Sequence, residues 1–304
     1  MTLRLGTRGS ALALAQADAV ASRLGAELVV IESEGDRTSA PLAELGGAGV
    51  FVASLREALL KGEVDAVVHS YKDLPTVPLP GLTVAAVPKR ADARDVVCAS
   101  GGRDLDTLPA GARVGTGSPR RRAQLLSRRP DLDVVDIRGN IDTRLGRLDA
   151  DDPERRLDAL VLAAAGLARL GRSDAATEWL SLDSWPTAPA QGALAVETRA
   201  GDETRVAKLE HAPSRLTAEA ERGVLARLEA GCAAPLGVSA LVEDGLLLLS
   251  ARVYAPDGSG QLTASHALYP EDSRDPAGEL AARVAGELLE AGAAGLAPLG
   301  GARA

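Results

Sequence analysis

Val64-Asp65-Ala66-Val67-Val68 is a short run in which mostly β-branched apolar side chains occupy both alternating sets of positions. Such a run makes a strand buried on both faces, which helices must then cover above and below. The next seven residues are His69-Ser70-Tyr71-Lys72-Asp73-Leu74-Pro75. They force the strand to end near Asp73, because Pro75 has no amide proton for a ladder and Pro78 and Pro80 follow. Open α/β sheets bind ligands just beyond the carboxyl ends of their strands. Lys72 and Asp73 are therefore a candidate reaction centre. The competing reading is a solvated ion pair at a turn.

The same rhythm extends in both directions. A strand is expected at 3–5, then a Gly-bracketed turn containing Arg8, then a helix over 11–24 with Ser10 as its N-cap. A strand over 28–31, a long loop over 33–49 and a helix over 51–60 lead to the opening strand. Strands at 82–87, 95–99, 113–115, 133–137 and 157–162 follow, with helices after Ser118-Pro119, over 140–148 and over 163–170. Alternation of this kind predicts mainly parallel sheets covered on both faces. Residues 188–197 break the rhythm and then read as a strand able to return the chain to its first domain. The end differs in style, with a helix over 214–228, strands over 236–241, 246–254 and 261–269, and a closing helix over 276–291. Turns at Glu243-Asp244-Gly245 and Pro256-Asp257-Gly258 make hairpins of the three strands.

At 304 residues the chain exceeds one ordinary core. Only 2% of residues are aromatic and the net charge is −8, which disfavours base stacking and nucleic-acid or membrane-surface binding. Two cysteines, no metal-ligand spacing and no signal-peptide pattern lead us to expect a cytoplasmic, metal-independent protein. Cys98 lies within a strand and reads as an inert buried thiol. Cys232, between Gly231 and Ala233-Ala234-Pro235, has no bulky neighbour and is the better candidate nucleophile. No phosphate-loop, dinucleotide or hydrolase-triad motif is present.

The basic residues are unevenly placed. Nine arginines and four aspartates lie between Arg113 and Arg147, a local charge of +5. Arg120, Arg121 and Arg122 occupy the first turn of a helix, where the helix dipole disfavours cations by about 0.3–1 kcal/mol. Arg138 and Arg144 are expected to open a second helix after Gly139. Two such starts predict bound anions, held by Ser118, free amides and guanidinium forks; the bland reading is ion pairing with nearby aspartates.

Taken in order, several segments resemble the porphobilinogen deaminase (hydroxymethylbilane synthase) family. They are Gly6-Thr7-Arg8-Gly9-Ser10, the 69–75 heptapeptide, Gly115-Thr116-Gly117-Ser118-Pro119-Arg120-Arg121, Ile137-Arg138-Gly139-Asn140, Thr143-Arg144-Leu145, Gly166-Leu167-Ala168-Arg169, Gln191-Gly192-Ala193-Leu194 and Gly231-Cys232. The resemblance covers nearly the whole chain. It implies two α/β domains of the type II periplasmic-binding-protein kind (1–90 with 190–211, and 91–189) and a small α+β C-terminal domain (212–304). It further implies a transferase that joins four porphobilinogen molecules head to tail with loss of ammonia. Its dipyrromethane cofactor would be linked by thioether to Cys232. By carry-over, Asp73 is the catalytic carboxylate and Lys72 its basic neighbour. Arg8, Ser10, Ser118, Arg120, Arg121, Arg138, Arg144 and Arg169 match positions that bind cofactor or substrate carboxylates or support catalysis. A monomer is implied. Ala48 departs from the lysine of many relatives, and residues 149–156 look like a lengthened surface loop. The alternative from another class is a non-catalytic anion-binding sensor with two domains.

Overall fold

The computed structural model describes residues 2–32, 49–231 and 234–299, with side chains from residue 52 in the second stretch. The chain opens with β1 (Arg4–Thr7), α1 (Ala11–Leu24), β2 (Glu27–Val30), α2 (Gly49–Leu60), β3 (Ala66–Ser70) and β4 (Leu82–Ala86). It continues with β5 (Asp95–Ala99), β6 (Arg113–Gly115), α3 (Pro119–Arg128), β7 (Asp133–Val135), α4 (Ile141–Leu145), β8 (Ala159–Ala163), α5 (Ala164–Arg169) and β9 (Glu178–Trp179). The last part holds β10 (Leu194–Arg199), α6 (Ala212–Arg227), β11 (Leu236–Glu243), β12 (Leu246–Tyr254), β13 (Gln261–Leu268), α7 (Pro276–Glu290) and α8 (Ala293–Leu296). None of the described helices is long and apolar enough to cross a membrane.

Two compact units result, Met1–Ala91 with Gly192–Ala218, and Asp92–Gln191 with Glu219–Ala304. The first contains one sheet in the order β2-β1-β3-β10-β4. Its core is Leu5, Val20, Ala66, Val68, Val196 and Leu209 toward α1, and Leu55, Leu59, Val64 and Val67 toward α2. Ser10 accepts the amide of Ala13 at 3.3 Å as N-cap of α1, an interaction worth about 1 kcal/mol. The second unit contains a sheet in the order β7-β6-β8-β5-β9 and a separate one, β11-β12-β13. The two five-stranded sheets share one topology: three parallel strands, then the first strand after the chain passes from one unit to the other, then an edge strand.

The expectation of mainly parallel sheets is corrected on one point. β10 runs antiparallel to both β3 and β4, and β5 runs antiparallel to both β8 and β9. Both inserted strands are buried on both faces. A strand buried on both faces carries no in-out alternation that reveals its direction, so the sequence reads the same either way. The opening strand also stops sooner than expected: Ser70 is its last residue, and Tyr71–Asp73 form a single 3-10 turn.

In the three-stranded sheet, alternate residues of β12 (Leu247, Leu249, Ala251, Val253) point inward against Leu280, Val284 and Leu288 of α7. Asp244 and Gly245, at φ of 50° and 82°, make the tight β11–β12 turn, as the Asp-Gly pair predicts.

Unit one is fastened along the amino ends of its parallel strands by Asp65. Its carboxylate meets Arg4 at 3.2 Å and Arg205 at 3.1 Å and also accepts the Arg4 amide at 2.8 Å. Burial alone would raise the Asp65 pKa, but the bonds from Arg4 and Arg205 outweigh it and lower the pKa from 3.8 to about 2. A carboxyl depressed in the folded state contributes stability above its unfolded pKa and loses it as pH falls toward the folded value. Urea unfolding should therefore show Asp65→Asn less stable than the parent at pH 6. The difference should shrink as pH falls from 3.8 toward about 2. A difference that stays constant over that window would contradict the assignment.

Candidate active site

β1 and β3 are parallel neighbours, so the loops leaving their carboxyl ends emerge at one edge of the sheet. The first carries Arg8 (half-buried) and Ser10 (exposed), and the second carries Lys72 (half-buried) and Asp73 (exposed). The 3-10 turn is fixed at both ends: the Tyr71 amide donates to Ala193 O at 3.0 Å and the Leu74 amide to Tyr71 O at 3.3 Å. Ser70 Oγ is held at 2.9 Å by Gln16 Nε2 of α1. Sequence order separates these residues by more than fifty positions; parallel pairing brings them to one edge.

In the second unit β7, β6 and β8 are likewise parallel neighbours. Their carboxyl-end loops carry Ser118, then Arg138 and Gly139, and lead into α5 with Arg169. Gly117 is required where two of these loops meet, because a Cβ there would lie 2.7 Å from Ile137 O. Ser118 caps α3, accepting the Arg121 amide at 3.4 Å, with Pro119 at the first helical position. Asn140 caps α4 at 2.8 Å from the Thr143 amide. Arg144 lies in the last turn of this five-residue helix, not at its start, and reaches back to Gly139 O at 2.8 Å. Burial pushes the pKa of Arg144 down, with nearby Arg121 adding to the effect, and burial also lowers that of Arg169. Both are cations held partly out of water. Arg138 is exposed, with Asp136 at 3.6 Å.

The structure shows an internal anion for Arg120 and Arg121. Asp95, the first residue of β5, is fully buried and accepts five hydrogen bonds. They come from Arg120 Nη2 (2.9 Å), Arg121 Nε (3.1 Å) and Nη2 (2.6 Å), Trp185 Nε1 (3.0 Å) and Gln191 Nε2 (2.8 Å). Burial opposes its charge, but the two guanidinium groups prevail and hold the carboxyl far below its usual range. Arg120 Nη1 also meets Gln124, and Arg121 Nη1 donates to Val161 O at 3.0 Å. One carboxylate facing two arginines leaves a positive charge in the interior, and Arg120 Nε is buried without a partner among the described residues.

Other arginines of the +5 segment satisfy backbone carbonyls. Arg113 donates to Pro153 O, Glu154 O and Arg156 O, Arg147 to Arg155 O, Arg122 to Val134 O, and Arg129 to Leu105 O and Leu108 O. Arg113 and Arg147 thereby tie down the 149–156 loop. The local charge thus overstated the number of arginines available to a ligand. A guanidinium fork serves loop carbonyls as well as anions, and sequence cannot separate the two uses.

Cys232 and Ala48 lie outside the described residues. Cys98 is buried, and burial raises its thiol to about 11, which makes it inert as a nucleophile at neutral pH. Sequence reading passed over Asp95 and Glu197. Asp95 opens an otherwise apolar buried strand and Glu197 directly follows the apolar run Leu194-Ala195-Val196, which was the available signal.

Comparison with known proteins places the chain. A family model described as "Porphobilinogen deaminase, dipyromethane cofactor binding domain" matches residues 3–207, and one described as "Porphobilinogen deaminase, C-terminal domain" matches residues 215–290. The chain belongs to the porphobilinogen deaminase family. The porphobilinogen deaminase of Leifsonia xyli subsp. xyli is 56% identical over 319 residues, covering 99% of this chain and 96% of that one. The enzyme of that name from Mycobacterium tuberculosis is 51% identical over 308 residues, covering 96% and 97%. Among solved structures, a putative methionine-binding lipoprotein of Bacillus subtilis aligns at 14% identity and a TM-score of 0.37. That alignment covers 68% of this chain and 87% of the lipoprotein, and the score is too low to argue from.

Removing one partner of a buried pair strands the other charge, at about 3–5 kcal/mol. Asp95→Ala should therefore cost that much in urea unfolding. Arg138→Leu, at an exposed position, should change stability by less than about 0.5 kcal/mol. Equal effects would refute the division of the arginines drawn here.

Proposed function

We propose that this protein is a hydroxymethylbilane synthase, a transferase condensing four porphobilinogen molecules head to tail with release of ammonia, in tetrapyrrole synthesis. The matches to both family models, over residues 3–207 and 215–290, carry this reading. In this reading residues 1–90 with 190–211, 91–189 and 212–304 are its three domains, and the enzyme works as a cytoplasmic monomer. An anion-binding sensor would leave Cys232 and the Lys72-Asp73 pair without a role.

A dipyrromethane built from two porphobilinogen units bears acetate and propionate groups, so its site must offer hydrogen-bond donors with positive charge. The residues present fit this need. Arg144 and Arg169 are half-buried cations, and Arg120 retains a buried Nε–H without a partner among the described residues. Arg8, Ser10, Ser118, Arg120, Arg121, Arg138, Arg144 and Arg169 would hold its carboxylates and those of the substrate, with Cys232 the point of attachment. When bound, the dipyrromethane supplies the pyrrole from which the chain is extended.

The catalytic role falls to Asp73. Loss of ammonia from the aminomethyl group of porphobilinogen generates a cationic azafulvenium. The exposed Asp73 carboxylate stands at the end of the β3 turn, where it can stabilise that charge and exchange protons with the pyrrole nitrogen. Half-buried Lys72 supplies the adjacent positive charge. Guanidinium forks bind the substrate carboxylates through paired hydrogen bonds and so orient the pyrrole.

Intact-mass measurement should show the purified protein heavier than its sequence by two pyrrole units, and Cys232→Ser should lack the excess. A fully active parent at its bare sequence mass would refute the covalent cofactor. Asp73→Ala should lower turnover by at least about 100- to 1000-fold while the mass excess still forms. Near-normal bilane production would reject the role given to Asp73.

A further inference from the structure

The residue before Ser70 belongs to a buried group that the reaction as described does not use. Side chains of β3 alternate between its two helices: Ala66 and Val68 pack in the core that includes Ala17 and Val20 of α1, and Val67 packs with Leu55 and Leu59 of α2. At the carboxyl end the alternation continues with polar residues. Ser70 takes its hydrogen bond from Gln16 on the α1 side. His69, on the other face, places Nε2 3.1 Å from Glu197 Oε2. Glu197 lies on β10 directly opposite Val67, which makes it the diagonal neighbour of His69. Its carboxylate also receives Arg56 of α2 through Nε at 3.0 Å and Nη2 at 2.7 Å. His69, Glu197 and Arg56 are 5%, 2% and 9% exposed. Beside them the β10–β4 ladder slips register between Val196 and Glu197, an irregularity of the kind that re-aims a side chain.

This group has no advantage for stability over apolar side chains of similar volume, since burying an ion pair costs about what its attraction returns. It does fix direction. An ionised carboxylate only accepts, so the imidazole must present Nε2–H to it. With Arg56 bidentate on the same carboxylate, the ring has one orientation. Two residues later the strand becomes the 3-10 turn, and Asp73 closes that turn. A change in the tilt or twist of β3 at His69 is therefore carried across only four residues to the Asp73 carboxylate.

We propose that His69, Glu197 and Arg56 are positioning residues, which clamp the carboxyl end of β3 from the α2 side so that the Tyr71–Asp73 turn presents Asp73 in one orientation. The proposal rests on the reading of Asp73 as the reacting carboxylate. None of the three need touch substrate.

The test uses the holoenzyme. His69→Phe keeps ring volume and leaves the Glu197–Arg56 pair intact, so no charge is stranded. It should lower kcat at least about tenfold, with KM for porphobilinogen within about threefold of the parent and the dipyrromethane mass excess retained. His69→Gln, whose amide can donate from a similar reach, should recover kcat to within about threefold. The double variant Arg56→Leu with Glu197→Leu removes both charges together. It should unfold no more easily than the parent, yet lose kcat as His69→Phe does. The proposal is overturned by a folded double variant with parental kcat, or by a His69→Gln enzyme as slow as His69→Phe. Should His69→Phe not fold, the double variant decides alone. Asp73→Ala in the same assay separates the two levels: normal turnover there sinks the role of Asp73 and the clamp with it. An inactive Asp73→Ala beside unimpaired clamp variants sinks the clamp alone.

Discussion

The arginine-rich unit depends on a carboxylate that does not meet water. Placing Arg120 and Arg121 in the first turn of α3 opposes the helix dipole, and burying them adds a desolvation cost far larger than the dipole effect. Asp95 makes both tolerable. Through five hydrogen bonds it joins β5, the start of α3, Trp185 and Gln191, segments far apart in the sequence. The charges do not cancel. Two guanidinium groups against one carboxylate leave the interior of this unit positive, which suits a ligand that bears several carboxylates.

The other unit divides its charges between the two ends of one sheet. At the amino ends of β1 and β3, Asp65 is enclosed by Arg4, Arg199 and Arg205, and the strands are fastened there. At the carboxyl ends the backbone leaves the sheet in loops, and these carry Arg8, Lys72 and Asp73. Glu197 belongs to neither end. It lies inside the sheet with Arg56 and His69, just below the turn that carries Asp73.

Much of this was legible beforehand. Pro75 and its following prolines announced the end of β3, Ser10 and Ser118 announced helix starts, and Asp244-Gly245 announced a hairpin. Each of these signals acts within a few residues through a missing amide proton, a side-chain acceptor or a permitted positive φ. The directions of β5 and β10 were not legible, because strands buried on both faces look alike in either direction. The use of each arginine was not legible either. Arg113 and Arg129 bind loop carbonyls, Arg121 binds a buried carboxylate, and Arg138 is exposed, although all four read alike in the sequence.

Sequence alone thus determined most elements and local turns and named the candidate groups: a carboxylate after a strand, many guanidinium groups and Cys232, which lies outside the described residues. Lys72 and Asp73 entered as two charges at a strand end that could equally have been a solvated pair. Tertiary structure decided which arginines are committed to the fold, which lie near the carboxyl ends of parallel strands, and what holds the strand beneath Asp73. Long-range pairing makes these decisions. Asp95 meets Arg121, and His69 meets Glu197, only after the sheets have assembled, and no periodicity within either segment records the partner in the other.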